Sequence, residues 1–131
     1  MGEETKELKV DEIARACGVE NIKVVNPFNL KDTISSVKEF LDKDKVSMIV
    51  SKQECRLEFM RKARKAKIKV PIFEIDEKKC IKCGECLYGY GCPAIHREGT
   101  EGRFYIDRDF CWGCSVCAQV CPVNAIHVAK D

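Results

Sequence analysis

Cys80-x-x-Cys83-x-x-Cys86, followed by Cys92-Pro93, is the most informative segment of this 131-residue chain. The pattern returns 31 residues later as Cys111-x-x-Cys114-x-x-Cys117, and that run ends in Cys121-Pro122. Eight of the ten cysteines therefore fall into two runs of one design, each with three closely spaced thiols and a fourth thiol ahead of a proline. A run of this kind supplies metal-binding thiolates from a single tight loop.

The spacing predicts two [4Fe-4S] clusters. In the bacterial ferredoxin pattern the first three cysteines of a run bind one cluster, and the cysteine ahead of the proline binds the other. This crossover would join the two clusters through the chain itself. It predicts that a first cluster is bound by Cys80, Cys83, Cys86 and Cys121, and that a second is bound by Cys111, Cys114, Cys117 and Cys92.

Structural zinc and a disulfide scaffold are two other uses of many cysteines in a short chain. Zinc sites normally take four ligands from two separated Cys-x-x-Cys pairs, whereas each run here has three thiols in succession and a Cys-Pro end. Disulfides need an oxidising compartment, and residues 1–20 are charged and have no apolar core of signal-peptide length. The sequence therefore favours iron–sulfur chemistry over both alternatives.

The chain also has no run of about 18 apolar residues that could cross a membrane. We therefore expect a soluble, cytoplasmic protein of a reducing environment, with no membrane partner.

Composition divides the chain into two parts. Residues 1–75 contain only Cys17 and Cys55 among the cysteines, and their 16 Lys/Arg against 13 Asp/Glu give a net charge of +3. Residues 76–131 have 7 Lys/Arg against 8 Asp/Glu, a net charge of −1, so the two parts sum to +2. Two oxidised clusters with their thiolates would add about −4. This balance gives no reason to expect a nucleic-acid partner.

We expect an α+β protein with a small parallel α/β docking domain at residues 1–72 and a bacterial-type 2[4Fe-4S] ferredoxin-like domain at residues 73–131. In the first part, apolar spacing predicts a short helix from Val10, with Gly18 just past its end. Asn29 is predicted to cap a second helix, and Ser51-x-x-Glu54 is predicted to form a capping box that opens a third. The second helix would carry its apolar face on Leu30, Ile34, Val37 and Leu41. Strands at 22–25, 46–50 and 70–75 alternate with these helices, which predicts parallel pairing.

Three features of the first part bear on chemistry. Cys17 lies on the apolar side of its helix, which favours a packed core thiol over a ligand or a reactive cysteine. Gly2 and Gly18 are the only glycines of this part, so no glycine-rich phosphate-binding turn can be built there. The basic run from Arg61 to Lys69 is most economically a solvated helix end, and a partner-binding role is the alternative.

The second part repeats beyond its cysteines, because Ala94-Ile95-His96 answers Ala125-Ile126-His127 at the same interval of 31 residues. The first run is two residues longer than the second between its third cysteine and its crossing cysteine, at 87–91. Residues 95–98 and 103–107 flank Gly99-x-x-Gly102 and predict a hairpin.

Histidines and aromatic residues also occur in the cluster runs. All eight ligand places are filled by cysteine, so His96 and His127 are predicted to be surface strand residues. Tyr88, Tyr90 and Trp112 are predicted to exclude water from the clusters, which lowers the local dielectric constant and helps to set the reduction potential.

Residues 76–131 resemble the 2[4Fe-4S] ferredoxin-like domain at the C-terminus of the alpha subunit of indolepyruvate ferredoxin oxidoreductases, down to the long first run that ends in Gly91-Cys92-Pro93-Ala94-Ile95. Residues 10–75 are similar to the last part of the thiamine-diphosphate-binding domain that precedes it in that family. There a strand ends in Val-Val-x-Pro, here Val24-Val25-Asn26-Pro27, and a later strand is followed by a cysteine, here Cys55. The family's Gly-Asp-Gly motif for magnesium and diphosphate lies upstream of anything present in this sequence.

The resemblance implies an electron-transfer role, because the family oxidatively decarboxylates aryl pyruvates to acyl-CoA and passes the electrons to ferredoxin. It implies an iron–sulfur electron-transfer subunit or fragment of a 2-oxoacid:ferredoxin oxidoreductase, which is not catalytic alone. A thiamine-diphosphate-binding catalytic subunit and ferredoxin would be its partners. Only the eight cluster cysteines carry over from the family, and no catalytic residue does. The alternative is a stand-alone ferredoxin-like electron carrier, or an interaction module for another redox enzyme.

Overall fold

A computed structural model describes residues 5–130 and divides the chain into two compact units, Met1–Gln53 and Glu54–Asp131. The division falls earlier than the predicted boundary between residues 72 and 73, because the helix at 56–65 groups with the cysteine-rich part. Residues 1–4 and 131, the outer ends of the two predicted domains, lie outside the described residues. The docking role assigned to residues 1–72 stays a prediction.

The first unit alternates helices and strands in the predicted order. Its elements are α1 (Val10–Ala16), β1 (Asn21–Val25), α2 (Leu30–Leu41) and β2 (Ser47–Ser51). The two strands are parallel, with Asn21 opposite Ser47 and Val25 opposite Ser51, and α2 forms the crossover between them. The predicted cap of α2 is confirmed, because the side chain of Asn29 accepts a hydrogen bond from the Asp32 backbone N–H at 3.2 Å.

Three of the four residues predicted for the apolar face of α2 are exposed among the described residues, and the fourth, Leu30, is half-buried. Ile34, Val37 and Leu41 are 50%, 42% and 78% exposed, whereas the buried residue of this helix is Ser36. The Ser36 hydroxyl is satisfied within the helix, where it donates to the Asp32 carbonyl at 2.6 Å. The side of α2 that is buried is thus not the side that its hydrophobic pattern selects.

Cys17 is also placed differently from the prediction of a packed core thiol. Helix α1 ends at Ala16, so Cys17 is its C-cap residue and is exposed. Only Ala14 of this helix is buried, while Val10 and Ile13 are about half exposed. The helix ends one residue before Cys17, and in the described part of the chain the apolar face that would bury a thiol is itself half exposed.

The third helix begins later than its predicted capping box. Ser51 is the last residue of β2 and pairs with Val25, so its side chain does not cap a helix. Helix α3 (Arg56–Lys65) starts after Cys55, which makes no side-chain capping bond. Glu54 instead accepts a hydrogen bond from Lys62 Nζ at 2.6 Å. The spacing of Ser51 and Glu54 fits a capping box, but Ser51 belongs to strand β2 and is therefore not available to cap the helix.

Four short strands frame the cysteine runs in the second unit: β3 (Phe73–Ile75), β4 (Ile95–Arg97), β5 (Phe104–Ile106) and β6 (Ile126–Val128). β4 and β5 form the predicted hairpin, and β3 pairs antiparallel with β6. The prediction of a third parallel strand at 70–75 is therefore wrong. The partner of β3 lies at the far end of the cysteine-rich half, a pairing that local alternation of helix and strand cannot reveal.

The hydrophobic core of this unit lies between the two strand pairs. It contains two of the cluster cysteines, because buried Cys111 and Cys117 pack with aliphatic and aromatic side chains. The remaining buried members are Phe73, Ala94, Ile95, Phe104 and Ile126. Two candidate metal ligands are thus part of the hydrophobic core, and the surrounding apolar side chains keep water away from their thiols.

The two halves differ where the first run is two residues longer. The second run forms the short helix α4 (Val116–Val120), and the matching residues of the first run, Glu85–Gly89, form a π-helix. A π-helix holds extra residues in one turn because its hydrogen bonds span five residues instead of four. The inserted residues are thereby absorbed next to Cys86 without altering the strands that follow.

Candidate metal centre

Strand pairing explains why the fourth cysteine of each run meets the loop of the other run. Each strand pair takes one strand from each half of the repeat, because β4 pairs with β5 and β6 pairs with β3. Cys92 lies just before β4, and the partner strand β5 leads into Cys111. Cys121 lies just before β6, and its partner strand β3 leads into Cys80. Equivalent hydrogen bonds close both junctions, from Asp76 N–H to the Ala125 carbonyl and from Asp107 N–H to the Ala94 carbonyl, each at 2.7 Å.

The first set of predicted ligands lines one pocket of the second unit. The thiol-bearing residues on its wall are Cys80, Cys83, Cys86 and Cys121, and no cysteine of the second set lines it. Apolar side chains, among them Ile75, Phe104 and Ile126, form much of the rest of the wall. One backbone donor is already directed at a predicted ligand, since the Ala125 N–H lies 3.2 Å from Cys121 Sγ.

The second set of predicted ligands is identified by which neighbouring thiols raise the pKa of Cys117 and Cys92. Burial, and then the nearby thiol groups of Cys92, Cys114 and Cys111, raise the pKa of Cys117 to about 12. Burial likewise raises the pKa of Cys92, with added contributions from Cys114 and Cys111. The structure thus brings Cys92 to the second loop, where the crossover predicts it.

The same test separates the first set from the second. Burial raises the pKa of Cys86, and the thiols that add to this rise are those of Cys80, Cys83 and Cys121. Cys111, Cys114 and Cys117 do not contribute to this rise. The thiols therefore form two groups of four, and each group has three members from one run and one from the other.

Both loops are shaped by left-handed residues at matching positions. In the loop Cys80–Cys86, Lys82 and Gly84 have φ values of 57° and 80°. In the loop Cys111–Cys117, Gly113 and Ser115, each 31 residues further on, have φ values of 63° and 65°. Left-handed residues on both sides of the middle cysteine curl the chain tightly, and this brings three thiols of a Cys-x-x-Cys-x-x-Cys run to one side of the loop.

These thiols fit iron–sulfur clusters better than a single metal ion. Among residues 5–130, no three His, Cys, Asp or Glu side chains converge closely enough to share one ion. The first set instead lines a pocket, as a cluster requires when every thiolate binds a different iron. Burial raises the pKa of the Cys86, Cys92 and Cys117 thiols and so favours their protonated form. A cationic iron–sulfur core supplies the compensating charge that favours deprotonation.

The histidines and aromatic residues of the cluster runs differ in their exposure and in their distance from the thiols. His96 and His127 are exposed strand residues, as predicted. Tyr90 is close to the second thiol group, because burial and then Cys114 raise the pKa of its phenol to about 12. Tyr88 is 70% exposed and makes an edge contact with Phe104, so in the described residues it is not a water-excluding cover. Trp112 is 36% exposed.

One contact to the second loop escaped sequence reasoning. Arg56, the first residue of α3, donates from Nε to the Trp112 carbonyl at 3.1 Å, and its Nη2 donates to the same oxygen. No sequence signal joins these residues, because they are 56 positions apart and Arg56 belongs to no recognised motif. Cys17 and Cys55 are exposed and belong to neither thiol group.

Residues 73–128 match the family model described as 4Fe-4S dicluster domain. This part of the chain is a 4Fe-4S dicluster domain. The match begins at β3 and ends with β6, so it spans both thiol groups and both strand pairs. The dicluster domain accordingly has two [4Fe-4S] clusters as its cofactors, and the overall class is α+β with a ferredoxin-like second part.

Relatives of the whole chain extend the match beyond the dicluster domain. The chain is 36% identical over 96% of its length to indolepyruvate oxidoreductase subunit IorA of Pyrococcus horikoshii, and 39% identical over 96% to IorA of Methanothermobacter thermautotrophicus. It spans about a fifth of the length of these curated relatives and corresponds to their C-terminal part. Pyruvate synthase subunit PorD of Methanocaldococcus jannaschii is 44% identical over 58 residues, which cover 44% of this chain and 65% of that subunit. No solved structure matches the chain.

Within the described residues, none of the helices is both long enough and apolar enough to traverse a lipid bilayer.

Proposed function

We propose that this chain is the electron-transfer part of a 2-oxoacid:ferredoxin oxidoreductase, with an aryl pyruvate such as indolepyruvate as the substrate of the complete complex. The observation that carries the proposal is the gathering of eight thiols into two groups of four within a chain whose relatives are subunits of indolepyruvate oxidoreductase. The ligands would be those predicted by the crossover, Cys80, Cys83, Cys86 and Cys121 for one cluster and Cys111, Cys114, Cys117 and Cys92 for the other.

Within this division of labour the chain holds and shields its clusters, and chemistry on the 2-oxoacid belongs to a partner. When bound, the clusters supply sites that accept and release single electrons. The residues around them set the conditions for this transfer. Apolar core side chains exclude water, and backbone N–H groups such as that of Ala125 donate to ligand sulfur, which stabilises the reduced state.

The partners in this proposal are a catalytic subunit that binds thiamine diphosphate and a ferredoxin that receives the electrons, in the cytoplasm. Decarboxylation of a 2-oxoacid needs a cofactor that stabilises a carbanion, and the sequence of residues 1–75 contains no glycine-rich turn for a diphosphate group. The match with PorD supports a separate electron-transfer subunit, because in that case the same module makes up most of one subunit.

Docking to the catalytic subunit would be the task of residues 1–72. Two parallel strands are fewer than a stable sheet normally contains, and parallel sheets are normally covered on both faces. The exposed face of α2, carrying Ile34, Val37 and Leu41, supports the same assignment because it offers apolar area for a partner to cover.

Reconstitution tests the proposal. The purified chain should exchange electrons with ferredoxin or a dye but oxidise no 2-oxoacid, even with thiamine diphosphate, magnesium and coenzyme A present. Adding the catalytic subunit should produce indolepyruvate-dependent ferredoxin reduction. Oxidation of a 2-oxoacid by the single chain would refute the division of labour, and failure of every such catalytic subunit to couple would favour a stand-alone carrier.

A further inference from the structure

A groove in the second unit lies between helix α3 and the residues that lead into the second thiol loop. Residues of both elements line it, among them Met60, Ala63, Arg64, Arg108, Asp109 and Cys111. Cys111 is a predicted ligand of the second cluster, so a protein seated in this groove comes close to that cluster. Because electron transfer slows steeply as the distance between redox centres grows, a groove with a cluster ligand on its wall suits an electron-transfer partner.

The helix side of the groove is basic. Among residues 5–130, Arg61 and Lys62 are paired with carboxylates of Glu58 and Glu54. The exposed cations that follow have no ion pair in the described residues, and these are Arg64, Lys65 and Lys67. Positive charge that no neighbouring carboxylate neutralises attracts an acidic surface. The basic run that the sequence analysis left between two readings thus lies beside a cluster ligand.

The first loop also has cations, but carboxylates balance them. Residues 76–86 contain three Lys/Arg and three Asp/Glu, and residues 97–103, whose Glu101 carbonyl accepts a hydrogen bond from Lys82, contain two of each. The corresponding residues of the second loop, 107–117, have a net charge of −1. The three unpaired cations of the helix side bring this to +2, against zero around the first loop. A bound cluster with its thiolates adds about −2 to either side and leaves the difference unchanged.

The partner that fits this groove is an acidic iron–sulfur protein. A [4Fe-4S] cluster with four thiolates is an anion, so a carrier built on such clusters bears negative charge close to where its electrons enter. Complementary charge steers the encounter of two proteins and sets their orientation. Met60, Val70 and Ile72 add apolar wall to the groove, which suits a protein surface better than a nucleic acid that binds through its phosphates.

We propose that the groove beside Cys111, with Arg64 and Arg108 on its walls, is the docking site of an acidic iron–sulfur electron carrier, and that electrons leave the chain from the second cluster. The proposal rests on the proposed function, in which a ferredoxin receives the electrons. In each transfer the second cluster loses one electron and the cluster of the carrier gains it, and no bond or proton changes place. The first cluster then supplies the replacement electron.

The test measures electron transfer and binding separately in the loaded full chain. The chain is reduced, freed of reductant and mixed in a stopped-flow instrument with an oxidised 2[4Fe-4S] ferredoxin of net negative charge, and calorimetry gives the affinity of the two oxidised proteins. The variant Arg64→Gln/Arg108→Gln removes two charges from the groove, and Arg64→Lys/Arg108→Lys keeps them. The control is Lys78→Gln/Lys79→Gln, because it removes two exposed charges just before the first loop.

We expect the double glutamine variant of the groove to lower both the second-order rate constant and the affinity for ferredoxin by about tenfold at low ionic strength. The difference should shrink as salt screens the charges. The double lysine variant and the control should both stay near the wild type. Equal rate constants and affinities in the wild type and the glutamine variant overturn the proposal, and so does a larger loss in the control.

If the glutamine variant of the groove loses iron, Lys65→Gln/Lys67→Gln decides by the same criteria, since these exposed residues do not line the groove. Unchanged affinity for ferredoxin together with weaker binding to the catalytic subunit, or to poly(U) RNA, would assign the groove to that partner and overturn the proposal. A failure of the proposed function is distinguishable from these results. It would appear already in the wild type, as fewer than two clusters or as no electron transfer to ferredoxin.

Discussion

Cys92 and Cys121 are the residues on which the crossover depends. Each lies between its own loop and a strand that pairs with the other half of the repeat, and the Cys92 thiol is influenced by Cys111 and Cys114. Each of these two cysteines therefore belongs to one run but is predicted to bind the cluster held by the other run. Sequence spacing predicted this arrangement only through the known ferredoxin pattern, whereas the strand pairing supplies a physical reason for it.

Substitution of each crossing cysteine should damage the cluster of the opposite run. In Cys92→Ala the cluster bound by Cys111, Cys114 and Cys117 loses its fourth ligand, so iron should fall by about one to four atoms per chain. Electron paramagnetic resonance of the reduced variant should lose the coupling between two clusters. Cys17→Ala and Cys55→Ala are matched controls, because both thiols are exposed and outside the two groups. Damage to the cluster of Cys80, Cys83 and Cys86 in Cys92→Ala would show that the crossover assignment is wrong.

At the scale of elements, the two predicted helix caps of the first part have opposite outcomes. Asn29→Ala removes the acceptor of the Asp32 N–H and should lower the free energy of unfolding by about 1 kcal/mol. Ser51→Ala should have a much smaller effect, because Ser51 is an exposed strand residue and caps no helix. Urea unfolding followed by far-ultraviolet circular dichroism measures both. An equal loss in the two variants would contradict the placement of Ser51 in β2.

The elements that sequence could predict are those whose signals are local. The helix at 30–41 has its cap and its apolar period within twelve residues, and the hairpin of β4 and β5 has its turn glycines between its strands. The pairing of β3 with β6 joins residues that are more than fifty positions apart, and no local pattern encodes it. The two groups of thiols could be predicted because the ferredoxin spacing pattern relates cysteines that are far apart in the sequence. The Arg56 contact with Trp112 could not, since neither residue type is specific to that role.

Across the whole molecule, the apolar face of α2 is a surface that a partner could cover, because Ile34, Val37 and Leu41 are exposed. Leu41→Glu should leave the iron content unchanged but weaken binding to the catalytic subunit by about tenfold or more, because burial of one leucine contributes about 1.5–3 kcal/mol. Ile68→Glu is the control, as Ile68 is 60% exposed and belongs to the second unit. Calorimetric titration with the catalytic subunit measures the difference. Equal affinities for the wild type and Leu41→Glu would contradict a docking role for this face of α2.

Two [4Fe-4S] clusters are expected in the two thiol groups, one in each. The most direct measurement is iron, acid-labile sulfide and zinc in the anaerobically purified full chain, combined with electron paramagnetic resonance after reduction. We expect about eight iron and eight sulfide per chain and a spectrum broadened by the coupling of two nearby clusters. Stoichiometric zinc without sulfide would show that the two thiol groups do not hold iron–sulfur clusters.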